Sequence, residues 1–123
     1  MKVILDANFL IYSLNVGIDL LYELKQLGAT EINVLNGVLT ELEALSTTGE
    51  RHNTRTAARL ALELIKAKNI NIIPNLREKS VDDCLFLLSR NGYYIATMDK
   101  ELKKRIGSGR IIVLRQKKHL IIV

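Results

Sequence analysis

Short runs of β-branched and aliphatic residues alternate along this chain with segments whose apolar positions recur at helical spacing, and that alternation leaves few folds open. Lys2–Leu5, Glu31–Leu35, Ile70–Ile73, Tyr93–Ala96 and Arg110–Leu114 each read as a short strand. Between them, Ile18–Leu27 carries apolar residues at 18, 20, 21, 24 and 27, with Gly28 as a helix stop. Val38–Leu45 aligns Val38, Leu42 and Leu45, and Thr54–Lys68 aligns Ala57, Leu60, Ala61, Leu64 and Ile65. Ser80 is placed to cap a helix from Val81, and Lys100–Ile106 reads as a short basic helix ended by Gly107. Asn36-Gly37 closes the second strand, Ser46–Asn53 reads as the most polar loop, and Pro74 stops the third strand. His119–Val123 is a candidate sixth strand at an edge. The pattern predicts an α/β fold: one domain over residues 1–123, with a mostly parallel five-stranded sheet and helices on both faces.

Ligands of such sheets bind beyond the carboxyl ends of the strands, where strand order reverses. Four carboxylates are candidates for that edge. Asp6 ends the run Val3-Ile4-Leu5, and Asp99 follows Tyr93–Met98 in strand alternation with Thr97. Glu41 lies beside the apolar stripe of its helix, whereas Glu43 points away, so Glu41 is preferred. Asp82 stands three and four residues before Leu85 and Phe86, on the buried phase, and is preferred over Asp83. Asp83 falls in line with Leu87 and Arg90, a phase suited to a surface ion pair with that arginine. Asp99 also suits an N-cap for the basic helix, and the two roles are compatible. Two like charges about 4 Å apart repel by roughly 4 kcal/mol at an effective dielectric of about 20. Convergence of these acids therefore demands either raised pKa values or a divalent cation among them. The cation is the better reading.

Its identity follows from the ligands on offer. The single cysteine, Cys84, sits among Leu85, Phe86 and Leu88 and reads as a small buried residue. His52 and His119 are the only histidines and lack metal-ligand spacing. An all-oxygen site favours magnesium or manganese.

Charge is distributed unevenly. Residues 1–50 carry seven acids against Lys2 and Lys25, whereas residues 51–123 carry sixteen basic residues against six acids. A dense basic tail beside an acidic site points to a polyanionic substrate, with Arg51, Arg55, Arg59, Lys103, Lys104 and Arg105 as phosphate contacts. Only 5% of residues are aromatic and none is Trp, so base stacking is expected to be weak. The apolar runs are too short and too charged to span a membrane, and Asp6 within the N-terminal run argues against a secretory leader. A cytoplasmic location is expected. Apolar surface in Ile18–Leu27 could support a homodimer, although packing into the core is the preferred role.

The series Val3-Ile4-Leu5-Asp6-Ala7-Asn8, Glu41-Leu42-Glu43, Val81-Asp82-Asp83-Cys84 and Ala96-Thr97-Met98-Asp99 resembles, in order and rough spacing, the motif series of the PIN-domain nucleases. Asp83 and the segment Lys100–Arg105 look most like the archaeal and eukaryotic branch related to ribosomal-RNA processing, with the VapBC toxin subunits second. The resemblance implies a three-layer, Rossmann-like α/β/α fold and metal-dependent endonucleolytic cleavage of RNA. It matches Asp6, Glu41, Asp82 and Asp99 to the family's acidic quartet, and Asn8 and Thr97 to polar positions that support it. It also implies an antitoxin or a ribosome-assembly partner. The chain lacks the zinc module that some of these nucleases carry. Two rivals stand beside this reading. A phosphatase with Asp6 as nucleophile would want a second acid two residues on, where this chain has Asn8. A non-catalytic RNA-binding module would keep the acids as a scaffold.

Overall fold

A computed structural model describes residues 1–123 as one sheet with helices packed on it. The elements run β1 (Lys2–Leu5), α1 (Ala7–Asn15), α2 (Leu20–Leu27), β2 (Glu31–Leu35), α3 (Asn36–Thr48), α4 (His52–Ala67), β3 (Asn71–Ile73), α5 (Val81–Arg90), β4 (Tyr93–Ala96), α6 (Lys100–Ile106), β5 (Ile111–Arg115) and β6 (His119–Ile122). Strand order is β3-β2-β1-β4-β5-β6. The first five strands are parallel, and β6 returns antiparallel to β5.

Order and handedness together place the helices. The chain leaves β1 toward β2 and β3, then crosses back to β4 on the other side of β1. Right-handed crossovers put α1 to α4 on one face and α5 with α6 on the other. The packing agrees: α1, α3 and α4 contact one another, while α5 contacts α6 and β4. Strand order therefore reverses between β1 and β4, where Leu5 lies opposite Ala96. Val3, Ile4 and Leu5 are fully buried at the centre of a core that also takes Phe9, Leu10, Val34, Leu42, Leu85 and Ile95.

Four features differ from the sequence expectation, each for a local reason. The sheet has six strands because Arg115 and His119 pair across a tight hairpin. Its turn residues Gln116 and Lys117 hold φ of 53° and 55°, positions usually announced by Gly or Asn. Residues 7–15 form a helix that hydrophobic periodicity does not reveal; the Asp6 carboxylate caps it by accepting from the Ala7 amide at 2.9 Å. Most of the polar loop is helical: Ser46, Thr47 and Thr48 extend α3 with their hydroxyls donating back to the carbonyls of Glu43 and Ala44, and His52 and Asn53 open α4. Asn36-Gly37 opens α3 instead of forming a turn. Gly28, by contrast, ends α2 in the left-handed conformation at φ 105°. No helix is long and apolar enough to cross a membrane.

Candidate active site

Beyond the carboxyl ends of β1 and β4 lies a cleft of about 410 Å³ lined by Asp6, Asn8, Gly37, Glu41, Ser80, Val81, Asp82 and Asp99. Four elements thus deliver one acid each. Asp6 leaves the end of β1, Glu41 stands on the second turn of α3, Asp82 opens α5, and Asp99 precedes α6. Glu43 lies exposed on another face of α3, and Asp83 turns away from the cleft.

Asp6 is 9% exposed and held at both oxygens. One accepts from the Ala7 amide and the other from the Thr97 hydroxyl at 2.9 Å. The Thr97 oxygen in turn accepts from the Asp99 amide at 3.1 Å, so one buried hydroxyl joins the ends of β1 and β4. Asp99 caps α6 by accepting from the Leu102 amide at 3.0 Å. Glu41 makes no hydrogen bond to the protein and projects freely into the cleft.

Burial raises the Asp6 pKa above the ordinary carboxylate value, against the Thr97 and Ala7 hydrogen bonds, and Asp82 and Asp99 add repulsion. Glu41 is raised by burial and then by Asp6 and Asp82. Asp82 is raised by burial and Asp99, with Arg105 opposing. Its sequence neighbour Asp83 is lowered, chiefly by a hydrogen bond from Arg105 at 2.9 Å. Asp83 therefore pairs with Arg105 and not with Arg90; the guanidinium of Arg105 also lies 4.5 Å over the Phe86 ring, and that of Arg90 5.2 Å over it.

The donor set fits a hard divalent cation. It is all oxygen, and its repulsion is not neutralised by any basic side chain lining the cleft. No three acids converge into a ready-made cage as the side chains stand.

Comparison with known proteins is decisive on family. The profile described as "PIN like domain" matches residues 3–117. This chain belongs to the PIN-domain family. Ribonuclease VapC4 of Methanocaldococcus jannaschii is 32% identical over 96% of this chain and 93% of its own length. A solved structure of the PIN domain endonuclease Utp24 aligns with a TM-score of 0.76 at 28% identity, covering 99% of this chain and 92% of that one.

In this PIN domain none of the six basic residues expected to contact phosphate lines the cleft. Arg51 and Arg59 are exposed at and along α4, and Lys104 is exposed on α6 beside the half-buried Lys103. Arg55 is committed to the fold, donating to the carbonyls of Gly49 at 2.7 Å and Glu50 at 3.3 Å across the turn between α3 and α4. Arg105 is shared with Asp83, although its guanidinium retains further donors.

Sequence reading assigns no role to Asn75, yet this residue bridges two walls of the cleft. Its side-chain oxygen accepts from the Gly37 amide at 2.8 Å, satisfying an N-terminal donor of α3, which has no side-chain cap. A Cβ on Gly37 would lie 2.7 Å from both the Asn75 amide nitrogen and the Val81 side chain. Gly37 is required there for close approach, and it brings α3 and the start of α5 together. The available signal was a glycine beside Asn36 with no turn for it to make.

Proposed function

We propose that this PIN domain is a divalent-metal-dependent endoribonuclease. Asp6, Asp82 and Asp99 would hold magnesium or manganese, with Glu41 bound directly or through water. The observation that carries the reading is the delivery of four acids, from four elements, into one cleft at the switch point of the sheet, where they repel one another. The names of the relatives, a ribonuclease and an endonuclease, support RNA as substrate and internal cleavage.

When bound, the ion would lower the pKa of a water for attack on phosphorus and neutralise charge in the transition state. The chain's own groups do the positioning. Asp6, clamped by Thr97 and Ala7, presents its remaining lone pairs in a fixed direction. Glu41, free of hydrogen bonds and raised in pKa, is suited to accept a proton from a water in the cleft. Lys103, Lys104, Arg51 and Arg59 supply positive charge for flanking phosphates, and Arg55 and Arg105 add charge while tied to the fold. The Asn8 amide at the cleft mouth supports the substrate.

The test is cleavage of single-stranded RNA with and without chelator. Activity should vanish in chelator, return with magnesium or manganese, and fall at least about a hundredfold in Asp6→Asn. Cleavage that persists in chelator sinks the reading. The biological setting would be ribosomal-RNA processing with an assembly partner or a VapC-like toxin role with an antitoxin. Growth arrest on expression, relieved by one co-expressed neighbour gene, selects the second.

A further inference from the structure

A second groove, of about 440 Å³, adjoins the acidic cleft and shares Asn8 and Asp99 with it. Its other walls are Ile11, Tyr12 and Asn15 of α1, Thr54 of α4, and Met98. Residues 8, 11, 12 and 15 form one stripe of α1, at the spacings that bring helical side chains together. The core-facing side of the same helix is carried by Ala7, Phe9, Leu10 and Ser13, with Ile11 at the boundary, buried in the core and lining the groove floor. A single helix thus packs the core with one side and lines a groove with the other. Met98 is 41% exposed there, and Tyr12 is half-buried with no hydrogen bond from its hydroxyl.

We infer that this groove seats the nucleobase next to the cleaved phosphate, with Tyr12 as the stacking platform. The inference rests on the endoribonuclease reading and gives its substrate site an address. Asp99 is the only charged group in the walls, so an anionic phosphate is disfavoured while a neutral base is not. Asn8, Asn15 and Thr54 offer both donors and acceptors, the complement of a base edge. Tyr12 and Met98 offer the flat and polarisable apolar surface that a base face needs, and Ile11, almost fully buried, forms the floor between them. The volume lies within the range of about 300–1,000 Å³ typical of small-ligand sites. Low aromatic content across the chain is no obstacle, because one ring at the right place suffices for one base.

The experiment uses short single-stranded RNAs carrying one abasic ribose at successive positions. Binding is followed by fluorescence anisotropy in chelator, and cleavage by kcat and KM in magnesium. Wild-type protein should lose about tenfold in affinity at one position, adjacent to the cleaved bond. Tyr12→Ala should bind intact RNA about tenfold more weakly, lose that positional penalty, and raise KM with kcat nearly unchanged. Calorimetric manganese binding should stay at the wild-type level, and Tyr12→Phe should behave as wild type. Asn15→Ala, at an exposed site, gives a second variant whose base preference should shift even if Tyr12→Ala melts early. A wild-type enzyme that cleaves RNA but shows no positional penalty, or a penalty that survives in Tyr12→Ala, overturns the subsite alone. A wild-type protein that neither binds nor cleaves RNA overturns the endoribonuclease reading and the subsite with it.

Discussion

Asp82 and Asp83 are neighbours on the first turn of α5, and they live in opposite electrostatic worlds. Asp82 faces the cleft, where burial and Asp99 raise its pKa. Asp83 faces the seam between α5 and α6, where Arg105 binds it at 2.9 Å and lowers its pKa. The cleft collects four acids with no basic side chain in its lining, while the seam pairs Asp83 with Arg105 and lays two guanidinium groups over Phe86. Folding alone rewards the second arrangement, and an unpaired acidic cluster is retained where a ligand supplies the missing charge. Two residues of one type, one position apart, thereby separate the cleft from the packing seam behind it.

The largest effect that can break this contrast is on activity. Asp6→Asn and Asp99→Asn should each lower RNA cleavage on the order of a hundredfold or more, with folding retained in circular dichroism. Full activity in either variant would remove the cleft from the mechanism. Next comes the neighbouring pair itself. Asp82→Asn should lose most activity, whereas Asp83→Asn should stay within a few-fold of wild type, since exposed ion pairs contribute little. Equal losses would mean that helical phase does not separate the two roles.

A third measurement follows stability against pH without metal. Asp6, Glu41 and Asp82 hold protons more tightly in the folded chain than free carboxylates, whose values lie at about 4. Above that point the folded state binds more protons than the unfolded one, so stability falls as pH rises through the raised values. Asp83 has the opposite sign: its contribution is present above its unfolded pKa and lost as pH falls through its lowered one. The melting temperature of metal-free protein should therefore peak in mild acid and decline toward neutrality. Asp6→Asn should flatten the decline, and millimolar magnesium or manganese should lift the neutral limb by mass action. A metal-free profile that rises toward neutrality would contradict the uncompensated cleft.

The smallest effect concerns the surroundings. Lys104→Ala should weaken RNA binding and flatten the log–log salt dependence by about 0.7 for one lost phosphate contact, leaving metal binding intact. Lys2→Ala with Lys25→Ala, in the acidic half, should do little. Equal weakening would reduce the basic half to ordinary solvation.

Much of this contrast was legible in the chain. Strand ends carry Asp6 and Asp99 to one edge, and Asp82 and Glu41 line the cleft while Asp83 and Glu43 do not, although Asp82 is the more exposed member of its pair. Asp99 also takes its expected cap on α6, and Ser80 caps α5 through the Asp83 amide. What escaped is what periodicity cannot carry. Helix α1 uses one side for the core and another for a groove, which blurs its apolar period. The partner of Asp83 comes from α6, 22 positions away, instead of from its own helix. Asn75 matters through a glycine 38 positions earlier, a contact created only by tertiary packing. The end of α3 was hidden because its hydroxyl-rich residues bond back onto the helix when nothing else competes.

The sheet order has a consequence for synthesis. The first strand made lies between the second and the fourth, and Asp6, the residue that follows it, is tied through Thr97 to a segment at positions 97–99. A growing chain emerges from its N-terminus, so β1 must wait beside β2 while α3, α4 and α5 are still being added. The four carboxylates cannot share a cleft until residue 99 has cleared the ribosome. Whatever the assembled site does to RNA, the half-made chain cannot do to the transcript or the ribosome that is producing it.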